Sequence, residues 1–241
     1  MLFNTQQTLK QIVTLTSKEL ERAGLFFGHG TDNSWDEACW LVESLVRRSG
    51  IDQIHSEMKL DEMVLNQIQE LIQRRTQEKL PLAFLLNEAW FAGLSFYVDD
   101  KVIIPRSPIA ELIQNRFEPL IRHDPESILD LCCGSACIGL AAALEFPETK
   151  LVLSDISKEA LEVVAINIKK HNLIHRSVIQ QSDLFAGLQG SFDLILCNPP
   201  YVGEKEYLTL PQEYKHEPVV ALLSENYGLD IPVKILRQAA E

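Results

Sequence analysis

Ten residues, Phe192 to Tyr201, read Phe-Asp-Leu-Ile-Leu-Cys-Asn-Pro-Pro-Tyr. The first six form an apolar run broken only by Asp193. A run that short, followed at once by two prolines, reads as a fully buried, central strand of a parallel sheet. Pro199 and Pro200 lack an N–H and fix φ, so the ladder stops and the backbone after Asn198 is stiff. A carboxamide, backbone carbonyls and an aromatic ring are thereby held at the carboxyl end of a strand, where open α/β sheets bind ligands.

Such a corner suits recognition of a planar NH2 group. The Asn198 side-chain oxygen and the Pro199 carbonyl can each accept one N–H, while the Tyr201 ring covers the face of the group. With both hydrogens engaged, the nitrogen can be aimed at an electrophile. An amide nitrogen is a poor nucleophile, so orientation and electrostatics must lower the barrier. An Asn-Pro-Pro turn by itself is only the close of a strand; the apolar run before it and the aromatic after it favour a site.

The rest of the chain is read around this corner. Its 241 residues suffice for one large or two modest domains. No apolar stretch is long enough to span a bilayer, and the polar start at Asn4 to Gln7 is not a signal peptide. Cys39, Cys132, Cys133, Cys137 and Cys197 fall mostly in or beside apparent core strands, which fits a reducing cytoplasm. No His or fourth Cys stands at ligand spacing, so no metal site is expected. The net charge of −12 disfavours non-specific binding to nucleic-acid phosphates and suits a basic protein partner. Residues 1–80 hold 12 acidic and 9 basic side chains, so most of the excess negative charge lies later.

Residues 1–80 read as a helical bundle. Leu9, Ile12, Val13 and Leu20 recur at helical spacing before Gly24. Ser34 and Glu37 form a capping-box pattern, and Gly50 closes the helix they start. A third helix carries Met63, Val64, Ile68, Leu71 and Ile72. This part shows no catalytic pattern and is expected to serve packing or substrate docking. Residues 81–105 read as a hairpin linker, two strands around a turn at Asp99-Asp100. Ser107 and Pro108 then suit the start of a helix through Phe117. Arg106, between two rigid prolines, is a candidate on the substrate side.

From 106 to 241 strands and helices alternate. Ile128 to Cys132 forms a strand, and a turn at Gly134-Ser135 leads into a helix from Cys137 to Glu145, a natural seat for a carboxylate-bearing ligand. Leu151 to Ser154 ends at Asp155, placed where an acid commonly meets ribose hydroxyls. Val178 to Gln181 is followed by Ser182-Asp183-Leu184-Phe185. Each aspartate alone could be a cap; three strand tips in series make a nucleoside pocket. Val202 to Leu223 is a long polar loop, more often functional than idle, and a last helix runs from about Leu229 to Glu241.

Together, the glycine turn, Asp155, Ser-Asp-Leu-Phe and Asn-Pro-Pro-Tyr resemble class I S-adenosylmethionine-dependent methyltransferases of the glutamine-modifying branch. Within it, Ala89-Trp90-Phe91-Ala92-Gly93 and the stretch from Val102 to Ile109 look like the members acting on ribosomal protein uL3. Members that modify translation release factors read Pro-Arg-Pro-Asp/Glu-Thr-Glu at that place, which this sequence lacks. The resemblance implies a Rossmann-like α/β sheet, preceded by a small helical domain and a hairpin, with its C-terminal strands missing. It implies S-adenosylmethionine held by Asp130, Cys132, Gly134, Ser135, Asp155, Asp183, Leu184 and Asn198. It implies catalysis by Asn198, Pro199, Pro200 and Tyr201, with Arg106 and Glu217 on the substrate side. One departure is Ala136, which stands where the third glycine is usual and needs a backbone free of positive φ. Alternatives are a release-factor glutamine methyltransferase, an adenine N6 methyltransferase of nucleic acid, and a non-catalytic ribosome-assembly module.

Overall fold

A computed structural model describes residues 2–239. The chain divides into two compact units, Met1–Asn87 and Glu88–Glu241.

The first unit is helical: α1 (Leu9–Arg22), α2 (Ser34–Arg48), α3 (Glu62–Gln77) and the short α4 (Leu82–Leu86). Thr8 and Gln11 close a reciprocal capping box on α1. On α2 the expected box at Ser34 and Glu37 is replaced. Asn33 is the N-cap, accepting from the Asp36 N–H at 2.9 Å, and the Ser34 hydroxyl meets that of Ser17 at 3.0 Å. Glu37 turns inward and takes the Arg75 guanidinium at 2.7 Å, with both side chains buried. Residues such as Ile12, Leu20, Leu41, Val46 and Ile68 fill the core around them. Burying that pair apart would cost several kcal/mol per ion, so the two are retained together.

The second unit opens with a hairpin of β1 (Ala89–Phe91) and β2 (Leu94–Phe96). Its turn is Ala92-Gly93, both at positive φ, which is what a two-residue hairpin turn of matching twist requires. The expected turn at Asp99-Asp100 therefore joins no strands. The chain from Tyr97 to Ser107 is an irregular strap that buries Val98, Val102 and Ile104. Nor is the hairpin a linker: Phe91 and Phe96 belong to this unit's own core.

Then α5 (Ile109–Gln114) leads to the alternating segment: β3 (Ser127–Leu131), α6 (Cys137–Glu145), β4 (Lys150–Asp155), α7 (Lys158–Lys170), β5 (Ser177–Gln181) and β6 (Leu194–Cys197). The α5 helix is shorter than expected, beginning after Pro108 and ending before Phe117. The four strands form a parallel sheet ordered β5-β4-β3-β6. Ile128, Leu151 and Leu153 face the core shared with α6, α7 and the hairpin, while Leu129, Leu131, Val152 and Ile195 face the opposite side. There Ile231 and Ile235 pack, from α11 (Asp230–Gln238). Ala240 and Glu241, the expected end of that helix, lie outside the described residues.

The strand before the Asn-Pro-Pro-Tyr corner departs from expectation. It is the edge of the four strands, and only Leu196 in it is fully buried. It pairs with β3 alone, so the apolar run here reflects two covered faces, Leu194 and Leu196 on one and Ile195 and Cys197 on the other, rather than a central position. Gly139 in α6 shows why the helix needs a small residue. A Cβ there would come within 2.7 Å of Asp130 Cβ and 2.8 Å of a Leu153 methyl.

The expected polar loop carries short helices of its own: α8 (Glu204–Thr209), a 3-10 turn at Gln212–His216, α9 (Val219–Leu222) and α10 (Glu225–Gly228).

Candidate active site

Register brings the site together. Leu131 pairs with Cys197 and with Ser154, so the residues that follow leave adjacent strand tips side by side. These are Cys132 to Gly134 after β3, Asp155 at the end of β4, and Asn198 after β6. Asp155 pairs with Gln181, which adds Asp183 and Leu184 to the row.

A cavity of about 470 Å³ lies over these tips, walled by Cys132, Asp155, Asp183, Leu184, Pro200 and Val220 among others. A narrower space of about 60 Å³ adjoins it through Cys132, Asp155 and Pro200, and is bounded by Gly134, Ile103 and Asn198. An outer pocket of about 180 Å³ also reaches Asn198 and is lined by Ile103, Arg106, Pro199, Tyr201 and Tyr214. Asn198 thus borders both the space over the glycine turn and the outer pocket. Its carboxamide makes no hydrogen bond to the described residues, and the Pro199 carbonyl accepts none from them.

Asp155 is fixed by two backbone amides, Gly134 N–H and Ser157 N–H, each at 2.9 Å. Burial pushes its carboxyl up, against the pull of those amides. The Cys197 thiol is pushed up by its hydrogen bond with Cys132 and by burial, so it stays protonated at the strand tip. Not every expected residue reaches the cavity. Asp130 is 1% exposed and lies behind the turn, where its Oδ2 accepts from the Gly139 N–H at 2.7 Å and burial pushes its pKa up to about 8. Ser135 is buried beside Cys137. Ala136 does adopt positive φ, +62°, contrary to expectation. A left-handed alanine costs about 1–2 kcal/mol, and its fully buried methyl regains about 0.8 kcal/mol. Cys132 and Leu184 are left-handed too, so strain concentrates at the cavity rim.

Glu217 is fully buried and engaged with Arg106: Nη1 to Oε1 at 2.5 Å and Nη2 to Oε2 at 2.6 Å. The Ile104 N–H donates to the same carboxylate at 2.9 Å. The Arg106 guanidinium lies 5.0 Å over the Tyr214 ring. Sequence reasoning missed Ile103, Tyr214 and the Val219-Val220 pair as wall residues. The one usable signal was two β-branched residues in an otherwise polar loop. It also missed Asn167 of α7, fully buried, which bonds Tyr97 N–H, Tyr97 C=O and Ser135 C=O at 2.7–2.9 Å. That one side chain ties the strap to the glycine turn.

A Rossmann-like sheet with free carboxamide and carbonyl groups at its strand tips, bordered by cavities, has the architecture of a class I methyltransferase. The chain matches the family described as "Methyltransferase small domain" over residues 111–214. It is 41% identical to the ribosomal protein uL3 glutamine methyltransferase of Francisella tularensis subsp. tularensis, over 99% of this chain and 77% of that protein. The protein of the same name from Bordetella pertussis is also 41% identical, over 97% of this chain and 80% of its own length. The chain belongs to the family of ribosomal protein uL3 glutamine methyltransferases. Among solved structures, the hMettl16 catalytic domain in complex with a MAT2A 3'UTR hairpin superposes with a TM-score of 0.53 at 15% identity, over 84% of this chain and 73% of that one. That likeness concerns the fold alone. Among the described residues, no helix is long and apolar enough to cross a membrane.

Proposed function

We propose that this enzyme transfers a methyl group from S-adenosylmethionine to the side-chain amide nitrogen of a glutamine in ribosomal protein uL3, in the cytoplasm. The observation that carries the reading is the position of Asn198, shared by the space over the glycine turn and by the outer pocket, with its carboxamide unengaged.

S-adenosylmethionine, when bound, supplies an electrophilic methyl on a cationic sulfonium. The larger cavity suits its nucleoside, having apolar walls with carboxylates at two points. Asp155 would accept from ribose hydroxyls, Asp183 and Leu184 would bound the adenine, and Cys132 and Gly134 the methionine part. Asp130 and Ser135 would act from behind by shaping the turn. On the acceptor side, Asn198 and the Pro199 carbonyl would each accept one N–H of the glutamine carboxamide, Pro200 would keep the corner stiff, and Tyr201 would cover the amide face. The acceptor is neutral and charge disperses during transfer, so holding geometry is the protein's main contribution. Helices of residues 1–80 would help dock the basic substrate.

The net charge of −12 opposes stable binding to DNA or RNA phosphates and favours a basic protein. The reading is tested by incubating the purified chain with methyl-labelled cofactor and three acceptors: uL3, a release factor and mixed nucleic acid. The expected result is label in uL3 only, localised by peptide mass spectrometry to a glutamine. Label in the release factor or in adenine would replace the substrate. No label in any arm would favour a non-catalytic assembly factor.

A further inference from the structure

The outer pocket has a second aromatic wall. Tyr214 lines it together with Tyr201, Pro199 and Asn198. The ring is carried by the short 3-10 turn at Gln212–His216. The guanidinium of Arg106 lies against it, 5.0 Å from the ring centroid. Arg106 is itself held from three sides, by both oxygens of Glu217 and by the Ile104 carbonyl at 3.1 Å. Glu217 follows the same turn directly, so one buried carboxylate anchors the strap and the turn through a planar fork. Both charges of the pair are engaged, and the Glu217 side chain is 0% exposed. That arrangement leaves Glu217 with no path to act as a base on the acceptor, while Arg106, which also borders the pocket, backs the Tyr214 ring.

We infer that Tyr214 is an acceptor-contacting residue, its ring set by the Arg106–Glu217 pair as a wall against which the planar carboxamide of the incoming glutamine lies. Tyr214 is then the contact residue, while Arg106 and Glu217 are positioning residues that act through it. Planar amides pack well on aromatic faces, and a ring held in place loses little freedom when the acceptor arrives. The inference rests on the proposed glutamine acceptor.

It is tested with the 241-residue chain, S-adenosylmethionine and uL3, measuring kcat and KM for the acceptor, and the cofactor Kd by calorimetry. Tyr214→Ala is expected to raise the acceptor KM about tenfold, the scale of one aromatic contact, with cofactor Kd unchanged. Tyr214→Phe keeps the ring and is expected to stay within about twofold of wild type. Arg106→Lys removes the planar fork, and its loss in kcat/KM is expected to vanish when Tyr214 is already Ala, since the pair works through that ring. An unchanged KM in Tyr214→Ala would overturn the inference, as would an equal loss of cofactor affinity. An Arg106→Lys effect of the same size in both backgrounds would remove the pair's positioning role. A wild-type chain that leaves uL3 unlabelled sinks the glutamine reading itself, whereas labelled uL3 with indifferent Tyr214 variants sinks only this inference.

Discussion

Asp130 lies behind the glycine turn with one oxygen bonded to Gly139 and the other without a partner. Burial raises its pKa from 3.8 to about 8, so the folded chain keeps a proton there that the unfolded chain releases. Between those two values the native state binds more protons. Its contribution to stability is therefore full at low pH and declines as pH rises towards about 8, by at most about 1.4 kcal/mol per pH unit. Asp130→Asn keeps an acceptor for Gly139 and removes the titration. The variant should gain stability relative to wild type on going from about pH 5 to about pH 8, read as the difference in urea midpoints. An equal difference at both pH values would mean that Asp130 is ionised in the folded chain.

The helix α7 does more than cover the sheet. Through Asn167, itself fully buried, it satisfies both backbone groups of Tyr97 and the carbonyl of Ser135. Asn167→Ala would leave those groups unpaired, at a cost of about 3 kcal/mol, measurable by urea denaturation of the cofactor-free chain. A loss below about 0.5 kcal/mol would show that the strap and turn are held by other contacts. The elements themselves were largely legible. The helix from Cys137 to Glu145 falls where it was expected, and β3, β4 and β5 match within a residue or two, because period and breakers are local signals. What failed depended on other parts of the chain. Asp99-Asp100 does turn the chain, with Val102 N–H bonded to the Asp99 carbonyl, but the hairpin turn is Ala92-Gly93, since a left-handed alanine is tolerated where the flanking strands demand the twist. Glu37 looked like half of a cap until Arg75, 38 residues on, drew it inward. The site divided in the same way. Asn198, Cys132 and Asp155 were readable from strand ends, whereas Tyr214 and Asn167 are set by partners more than 30 residues away. Gly228 belongs with them: a Cβ there would sit 2.1 Å from the Tyr201 carbonyl, so α10 packs its backbone directly on the corner. Its role is invisible without the fold.

For the molecule as a whole, the excess of acidic over basic residues fits a basic macromolecular substrate. If encounter with uL3 is steered by charge, raising ionic strength from about 0.05 M to about 0.5 M should raise the acceptor KM several-fold while leaving kcat and the cofactor KM nearly unchanged. A salt-independent acceptor KM would place recognition in the pocket alone. The role proposed for Asn198, which borders both cavities, is to hold the acceptor rather than the cofactor. It is tested most directly by measuring methyl transfer to uL3 and cofactor Kd in parallel for wild type and Asn198→Ala. The prediction is a fall in kcat/KM of about a hundredfold or more, the size seen when a transition-state hydrogen-bonding group is removed, with cofactor Kd within about threefold of wild type. Transfer at the wild-type rate, or a loss of cofactor affinity that accounts for the whole defect, would contradict it.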